Sequence, residues 1–180
     1  KEMVSEACVL IDSYVDFSQF DMNNDGRIDA VHVIFAGTPQ STTGEANAIW
    51  PHRWNIYESD GLQQLFDGVI LSDYSCSGEK RGSFMDGIGT ICHEFGHVLG
   101  LPDFYDTDYD ETGGNAQALS TWSIMSSGSY NNNGNTPASF NANERNRLGW
   151  LSFDTLTIEG ACSLPPLTDS NRAYIITTPY

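Results

Sequence analysis

The sequence predicts an α+β domain. Helix-spaced apolar residues near the start and again from Phe84 to Leu99, β-branched runs at 30–36 and 68–72, and strand-like segments after Trp150 carry that expectation. With 180 residues, 39% of them hydrophobic and 12% aromatic, the chain can bury a core without disulfide staples, which excludes disorder as its overall state. Eight Lys+Arg against 24 Asp+Glu leave a net charge of -16, which repels phosphate backbones and anionic lipid and so excludes nucleic-acid and membrane-surface binding. No apolar run approaches the roughly 20 residues that a bilayer requires, so no membrane insertion is expected.

Taken in order, Met3, Ala7, Leu10 or Ile11 and Tyr14 recur at helical intervals and predict an amphipathic helix with that face buried. Asp21 to Asp29 is a polar loop, and Ala30 to Ala36, ended by Gly37, is a strand. Residues 38–48 read as loop, 68–72 as a second strand, and Ser75 to Gly82 as a polar connection. Phe84, Ile88, Ile91, Phe95, Val98 and Leu99 predict a helix over 84–99, stopped by Gly100 and Pro102. Residues 103–117 form an acidic loop and 126–136 a Ser/Gly/Asn loop. Thr136-Pro137 reads as a cap with a first-turn proline for a helix through Phe140, Glu144, Arg145 and Leu148 to Gly149, and a last strand covers 173–178.

Four single cysteines, Cys8, Cys76, Cys92 and Cys162, contain no CxxC pair; their even number permits two disulfides without showing them. The acidic, lysine-poor, Asn- and Gly-rich composition suits an exported protein. A start at Lys1-Glu2-Met3 without a hydrophobic core region fits a removed signal or a piece of a longer precursor.

The chemistry concentrates in His93-Glu94-Phe95-Gly96-His97. Four residues advance a helix by roughly 400°, so the two imidazoles project from one face about a turn apart and can bind one zinc ion. Glu94 is rotated away and can act on a zinc-bound water as general base. A third ligand must come from elsewhere. Gly100 lets the chain reverse, and Asp103 is then the nearest oxygen donor; the alternatives are a solvent-facing acid or a calcium ligand shared with Asp106, Asp108, Asp110 and Glu111. Glu111 and Glu144 do not have the spacing of a thermolysin-like third ligand.

His93, Glu94, His97, Gly100 and Asp103 form H-E-x-x-H-x-x-G-x-x-D, which resembles the long metzincin motif with its last histidine replaced by aspartate. The stretch from His93 to Asp106 resembles the active-site segment of the immune-inhibitor-A type secreted bacterial metallopeptidases. Asp25-Gly-Arg-Ile-Asp29, Ile49-Trp-Pro-His52 and Glu144-Arg-Asn-Arg-Leu-Gly-Trp150 agree in order, over roughly residues 15 to 151. The resemblance implies a metzincin-like zinc endopeptidase with a twisted sheet, backing and active-site helices, and a smaller loop-rich C-terminal subdomain with a methionine turn. It places the catalytic domain at 1–150, its upper subdomain at 1–100 and lower at 101–150, followed by a β-rich extension at 151–180 that continues into further sequence. Protein or peptide substrates, a propeptide, downstream β-rich domains and a secreted, periplasmic or cell-surface bacterial location follow from the same resemblance.

Met125 stands where metzincin-like chains carry the methionine turn that floors the metal site, an ordinary core turn being the alternative that spacing alone leaves open, and Tyr130 is the candidate to meet the oxyanion, although Ser127 occupies the usual tyrosine position. Asp21, Asn23, Asp25, Gly26 and Asp29 match positions of an EF-hand calcium loop, but His32 stands at the position of the bidentate glutamate; an Asx turn capped by its own side chains is the alternative. Trp50, His52 and Trp54 read as packing or substrate-wall residues, with packing favoured, and Cys92 as a small hydrophobe. The reading is a zinc-dependent endopeptidase; its rival is an exported calcium-stabilised binding or adhesion module with a decayed protease site.

Overall fold

The computed structural model describes residues 1–61, 63–108, 111–113, 116, 119–157 and 160–177. In chain order it contains helix α1 (Glu2–Ile11), strand β1 (Val31–Phe35), the single-turn helix α2 (Gln40–Thr43), strand β2 (His52–Asn55) and helix α3 (Ile56–Asp60). Strands β3 (Leu65–Phe66) and β4 (Val69–Ile70), strand β5 (Asp73–Gly78), and strands β6 (Lys80–Arg81) and β7 (Phe84–Met85) follow. Helix α4 (Gly89–Val98), helix α5 (Ala142–Arg147), and strands β8 (Asp154–Thr155) and β9 (Tyr174–Ile175) complete a mixed α+β chain with small sheets. No helix among the described residues is long and apolar enough to cross a membrane.

The main sheet has the order β1-β5-β2, with β5 parallel to β1 and antiparallel to β2. This central strand lies in the segment expected to be a polar connection. Its serines mislead because they are buried and bonded: His32 on β1 contacts Ser75 Oγ at 2.8 Å through Nδ1 and Ser77 Oγ at 3.0 Å through Nε2. Small hydroxyls satisfied by a neighbouring strand behave as core residues. His32 is thereby committed to the sheet.

Helix α1 packs on this sheet, but through Val4 and Cys8, both fully buried, with Met3 beside them. Leu10, Ile11 and Tyr14 are exposed, so the buried face is rotated by one residue from the expected one. Both registers offer apolar residues four apart, and tertiary contact chose between them. The 38–48 loop contains α2, and the second expected strand is the hairpin β3–β4, turned by Asp67-Gly68 with both residues at positive φ.

The helix expected over 84–99 starts at Gly89, since Phe84 and Met85 pair with β6 instead. Its expected apolar stripe is largely exposed at Ile88, Phe95 and Leu99, whereas Thr90, Glu94 and Gly96 are buried. Gly96 is required by close approach: a Cβ there would lie 2.4 Å from Met125 Sδ. Met125 forms a second small core with Leu101 and Ile124.

Helix α5 begins at Ala142 rather than after Thr136-Pro137. Asn141 Oδ1 accepts from Asn143 N at 2.9 Å and Glu144 N at 3.0 Å, while Glu144 accepts from Asn141 N at 2.6 Å, a reciprocal capping box. Glu144 is fully buried and also accepts from the Ser123 hydroxyl. Beyond α5, β8 and β9 pair in parallel; Thr178, the end of the expected last strand, lies outside the described residues. The four cysteines are free thiols.

Glu144→Ala removes the acceptor of both a capping amide and a buried hydroxyl, and should lower unfolding free energy by about 3 kcal/mol in chemical denaturation. A loss below about 1 kcal/mol would show that neither donor depends on it.

Candidate metal centre

Helix α4 presents His93 and His97 on one face, with ring centroids 4.8 Å apart. The helix then ends in a left-handed turn at Gly100, φ 95°. Gly100 N donates to His97 O and Leu101 N to Gly96 O, both at 3.0 Å, the paired bonds of a Schellman motif. This turn sends the chain back along the helix, so that Leu101 O accepts from His97 Nδ1 at 2.8 Å and Asp103 reaches the histidines. On the other side, Ile124 O accepts from His93 Nδ1 at 2.9 Å.

These two bonds decide the tautomers. A carbonyl only accepts, so each Nδ1 carries the proton and each neutral ring turns an Nε2 lone pair inward. Asp103 Oδ1 lies 3.2 Å from His93 Nε2 and 3.3 Å from His97 Nε2. Three acceptor atoms therefore face one another within 4.8 Å, and buried Asp103 Oδ1 has no hydrogen-bond partner while the rings are neutral. Tetrahedral bonds of about 2.05 Å place ligands about 3.3 Å apart, so the spacing suits a small tetrahedral cation.

The electrostatics express the same demand in protons. Desolvation lowers the pKa of both histidines, but the Asp103 carboxylate and the two carbonyls outweigh it and leave both values raised. For Asp103, burial opposes and the two imidazoles overcome it, holding the carboxyl far below its usual range. Glu94, 7% exposed, has its pKa raised by burial, against the lowering effect of the histidines and of the Arg53 main-chain N–H.

A cleft of about 520 Å³ opens on this group, lined also by the segment from Trp50 to Trp54 on and before β2 and by Tyr105. Of the segment, His52 serves packing: its Nδ1 contacts Trp50 O at 2.7 Å and its Nε2 the Tyr74 hydroxyl at 2.8 Å. The two tryptophans are half exposed and form wall rather than core. Tyr130 is half exposed, stacks its ring 4.9 Å from the Arg81 guanidinium and is not among the cleft-lining residues; burial raises its pKa, with Arg81 opposing and Glu94 and Asp103 adding. Met125 lies fully buried against Gly96. Cys92 is a half-buried thiol whose pKa burial raises, the opposite of an activated nucleophile.

The Asp21–Asp29 loop is built as an Asx turn. Asp21 accepts from Asp25 N and Gly26 N at 2.9 Å each, Asn23 from Asp25 N at 3.0 Å, Asp25 from Arg27 N at 3.0 Å and Asp29 from Met22 N at 3.1 Å. The metal-competent group found among the described residues is His93, His97 and Asp103, and calcium draws no support. Asp106 holds its own loop by accepting from Asp108 N and Ala116 N, and Asp110 lies outside the described residues. Tyr105 and the carbonyls of Leu101 and Ile124 escaped sequence reasoning. A carbonyl has no sequence signature, whereas Tyr105, two residues past Asp103, could have been found by proximity.

The histidine contribution to metal-free stability is fully present below about pH 6.5 and is lost as pH rises through the raised folded values. The Asp103 contribution is present above about pH 3.8 and is lost as pH falls through its depressed value. Measured in chelator, the stability advantage of wild type over Asp103→Asn should be largest near pH 5 and shrink towards about pH 8. Growth of that advantage between about pH 5 and pH 8 would contradict the arrangement.

Residues 10–151 match the immune inhibitor A peptidase M6 catalytic domain. Immune inhibitor A of Bacillus thuringiensis subsp. alesti is 34% identical over 167 residues, covering 78% of this chain and 23% of that protein. Pre-pro-metalloprotease PrtV of Vibrio cholerae serotype O1 is 34% identical over 172 residues, covering 84% of this chain and 18% of that protein, with the same values in two strains. The chain thus spans about a fifth of the length of these relatives.

Proposed function

This chain belongs to the immune inhibitor A peptidase M6 family and carries its metalloendopeptidase catalytic domain, a hydrolase, and on that premise we propose that it cleaves protein substrates with zinc held by His93, His97 and Asp103. The observation that carries this reading is the convergence of three acceptor atoms, two of them fixed in tautomer by carbonyls, beside buried Glu94. Zinc, when bound, supplies Lewis acidity to an attacking water and to the scissile carbonyl. Glu94 takes a proton from the water and hands it to the leaving amine; a carboxyl whose pKa is raised by burial suits a group that must both accept and release a proton. The Arg53 main-chain N–H steadies that carboxylate. Two phenols are candidates to meet the oxyanion: Tyr130, whose titration feels Glu94 and Asp103, and Tyr105, which lines the cleft.

In this reading the domain is metzincin-like. An upper subdomain, 1–100, supplies the sheet and α4, a lower one, 101–150, supplies Asp103 and the methionine turn at Met125, and 151–180 is a β-rich extension. The burial of Met125 against Gly96 supports its role as the floor. The pre-pro name of one relative and the small share of both relatives covered support a propeptide and downstream domains, and the acidic composition supports a secreted or cell-surface bacterial protein. A calcium-stabilised binding module with a decayed site is disfavoured, because a purely structural metal has no use for Glu94.

With a denatured protein as substrate and metal analysis in parallel, Glu94→Ala should keep its zinc and lose roughly 10²- to 10⁴-fold in cleavage rate. Retention of more than a few per cent of activity, about a hundredfold loss being the least expected, would point to another base. His97→Ala should lose both metal and activity. Asp103→Ala should bind zinc far more weakly, and Asp103→His should recover binding.

Tyr130→Phe should lower kcat by about tenfold or more with KM little changed, the signature of a contact made in the transition state. The same effect in Tyr105→Phe alone would transfer the assignment.

A further inference from the structure

Trp50 and Trp54 are 56% and 53% exposed, and the three residues between them are held in place. Pro51 is buried, His52 is held by Trp50 O and the Tyr74 hydroxyl, and Arg53 is paired with Asp73. Asp73 in turn accepts from Asn55 at 2.8 Å. Trp54 is therefore carried by the edge strand β2, whose ladder partner is β5, and Trp50 by the held segment just before it. Both line the same cleft as the metal group and Glu94. Trp122 and Trp150 are also exposed but line other depressions, so it is the place beside the metal group that sets Trp50 and Trp54 apart.

Rigid aromatic faces beside a reacting centre bind large apolar side chains at little entropic cost. Charge reinforces this choice. The two carboxylates of the cleft, Glu94 and Asp103, balance a divalent cation held there, and its one guanidinium is engaged by Asp73, so an acidic side chain entering beside the indoles loses its hydration without finding an unpaired cationic side chain among the described lining residues.

Resting on the peptidase reading above, we propose that Trp50 and Trp54 determine specificity, and that the substrates are polypeptides with an aromatic or large aliphatic side chain next to the scissile bond, acidic side chains being rejected there. The test uses the zinc-loaded full chain and matched fluorogenic peptides that differ at one residue flanking the cleaved bond: Phe, Leu, Ala or Glu. The Phe and Leu peptides should exceed the Ala peptide in kcat/KM by about tenfold or more, with the Glu peptide slowest. Trp50→Ala and Trp54→Ala should collapse the Phe-to-Ala ratio towards one while zinc content stays at the wild-type level, and Trp54→Phe should restore most of the ratio. Calorimetry of the same peptides with Glu94→Gln should give the same order in Kd. A wild-type enzyme indifferent to the flanking residue, or a ratio unchanged in both alanine variants, overturns the proposal. A loaded chain that cleaves neither the peptides nor a denatured protein overturns the peptidase reading, and the specificity falls with it.

Discussion

Two hydrogen bonds from imidazole to carbonyl set the character of this molecule. Because His93 Nδ1 donates to Ile124 O and His97 Nδ1 to Leu101 O, both Nε2 atoms are left as acceptors aimed at a carboxylate oxygen that is also an acceptor. Such a group is unfavourable without a donor and is relieved most fully by a positive charge placed among its members. A proton can do this, which is why the histidine pKa values rise and that of Asp103 falls. A divalent cation does it better, since it meets all three atoms at once. Metal competence and the coupled titration are thus two consequences of one arrangement.

The rest of the fold keeps those carbonyls in place. Leu101 is placed by the Schellman turn at Gly100, so the same device that ends α4 also orients His97. Ile124 lies between Ser123 and Met125, and four contacts hold that short segment. The Ser123 hydroxyl donates to Glu144 and accepts from Met125 N at 3.1 Å, Met125 O accepts from Phe104 N at 2.8 Å, and the Met125 side chain rests on Gly96. A buried glutamate on α5 therefore reaches the His93, His97 and Asp103 group through Ser123 and the Ile124 carbonyl. On the opposite wall, the β2–β5 ladder fixes Arg53, whose main-chain N–H meets Glu94.

The grouping of His93, His97 and Asp103 was legible because its chemistry is local. Histidines four apart on a helix, followed by Gly100 and Asp103, require only helical geometry and one chain reversal, and the structure brings those side chains together as that spacing implies. The fold was less legible wherever polar residues are buried by partners distant in sequence. Ser75 and Ser77 read as loop because the histidine that satisfies them is on another strand, 43 and 45 residues away. Phe84 read as helix because an apolar stripe does not reveal whether it faces core or solvent, and here most of it faces solvent. Thr136-Pro137 looked like a helix start, yet Asn141 with Glu144 three residues later is the stronger cap, and its sequence signature was present. The identity of the cation, the role of Glu94 and the division into subdomains rest on chemical argument and kinship.

Anomalous diffraction at the zinc absorption edge, from crystals of the protein purified without added chelator, tests the central claim most directly. One strong peak should lie about 2.0–2.2 Å from His93 Nε2, His97 Nε2 and an Asp103 oxygen, with the hydrogen bonds to Ile124 and Leu101 retained. A zinc peak held by the two histidines with Asp106 or Glu111, and Asp103 turned to solvent, would contradict the ligand set; rings flipped so that Nδ1 faces the metal would contradict the account of what builds it.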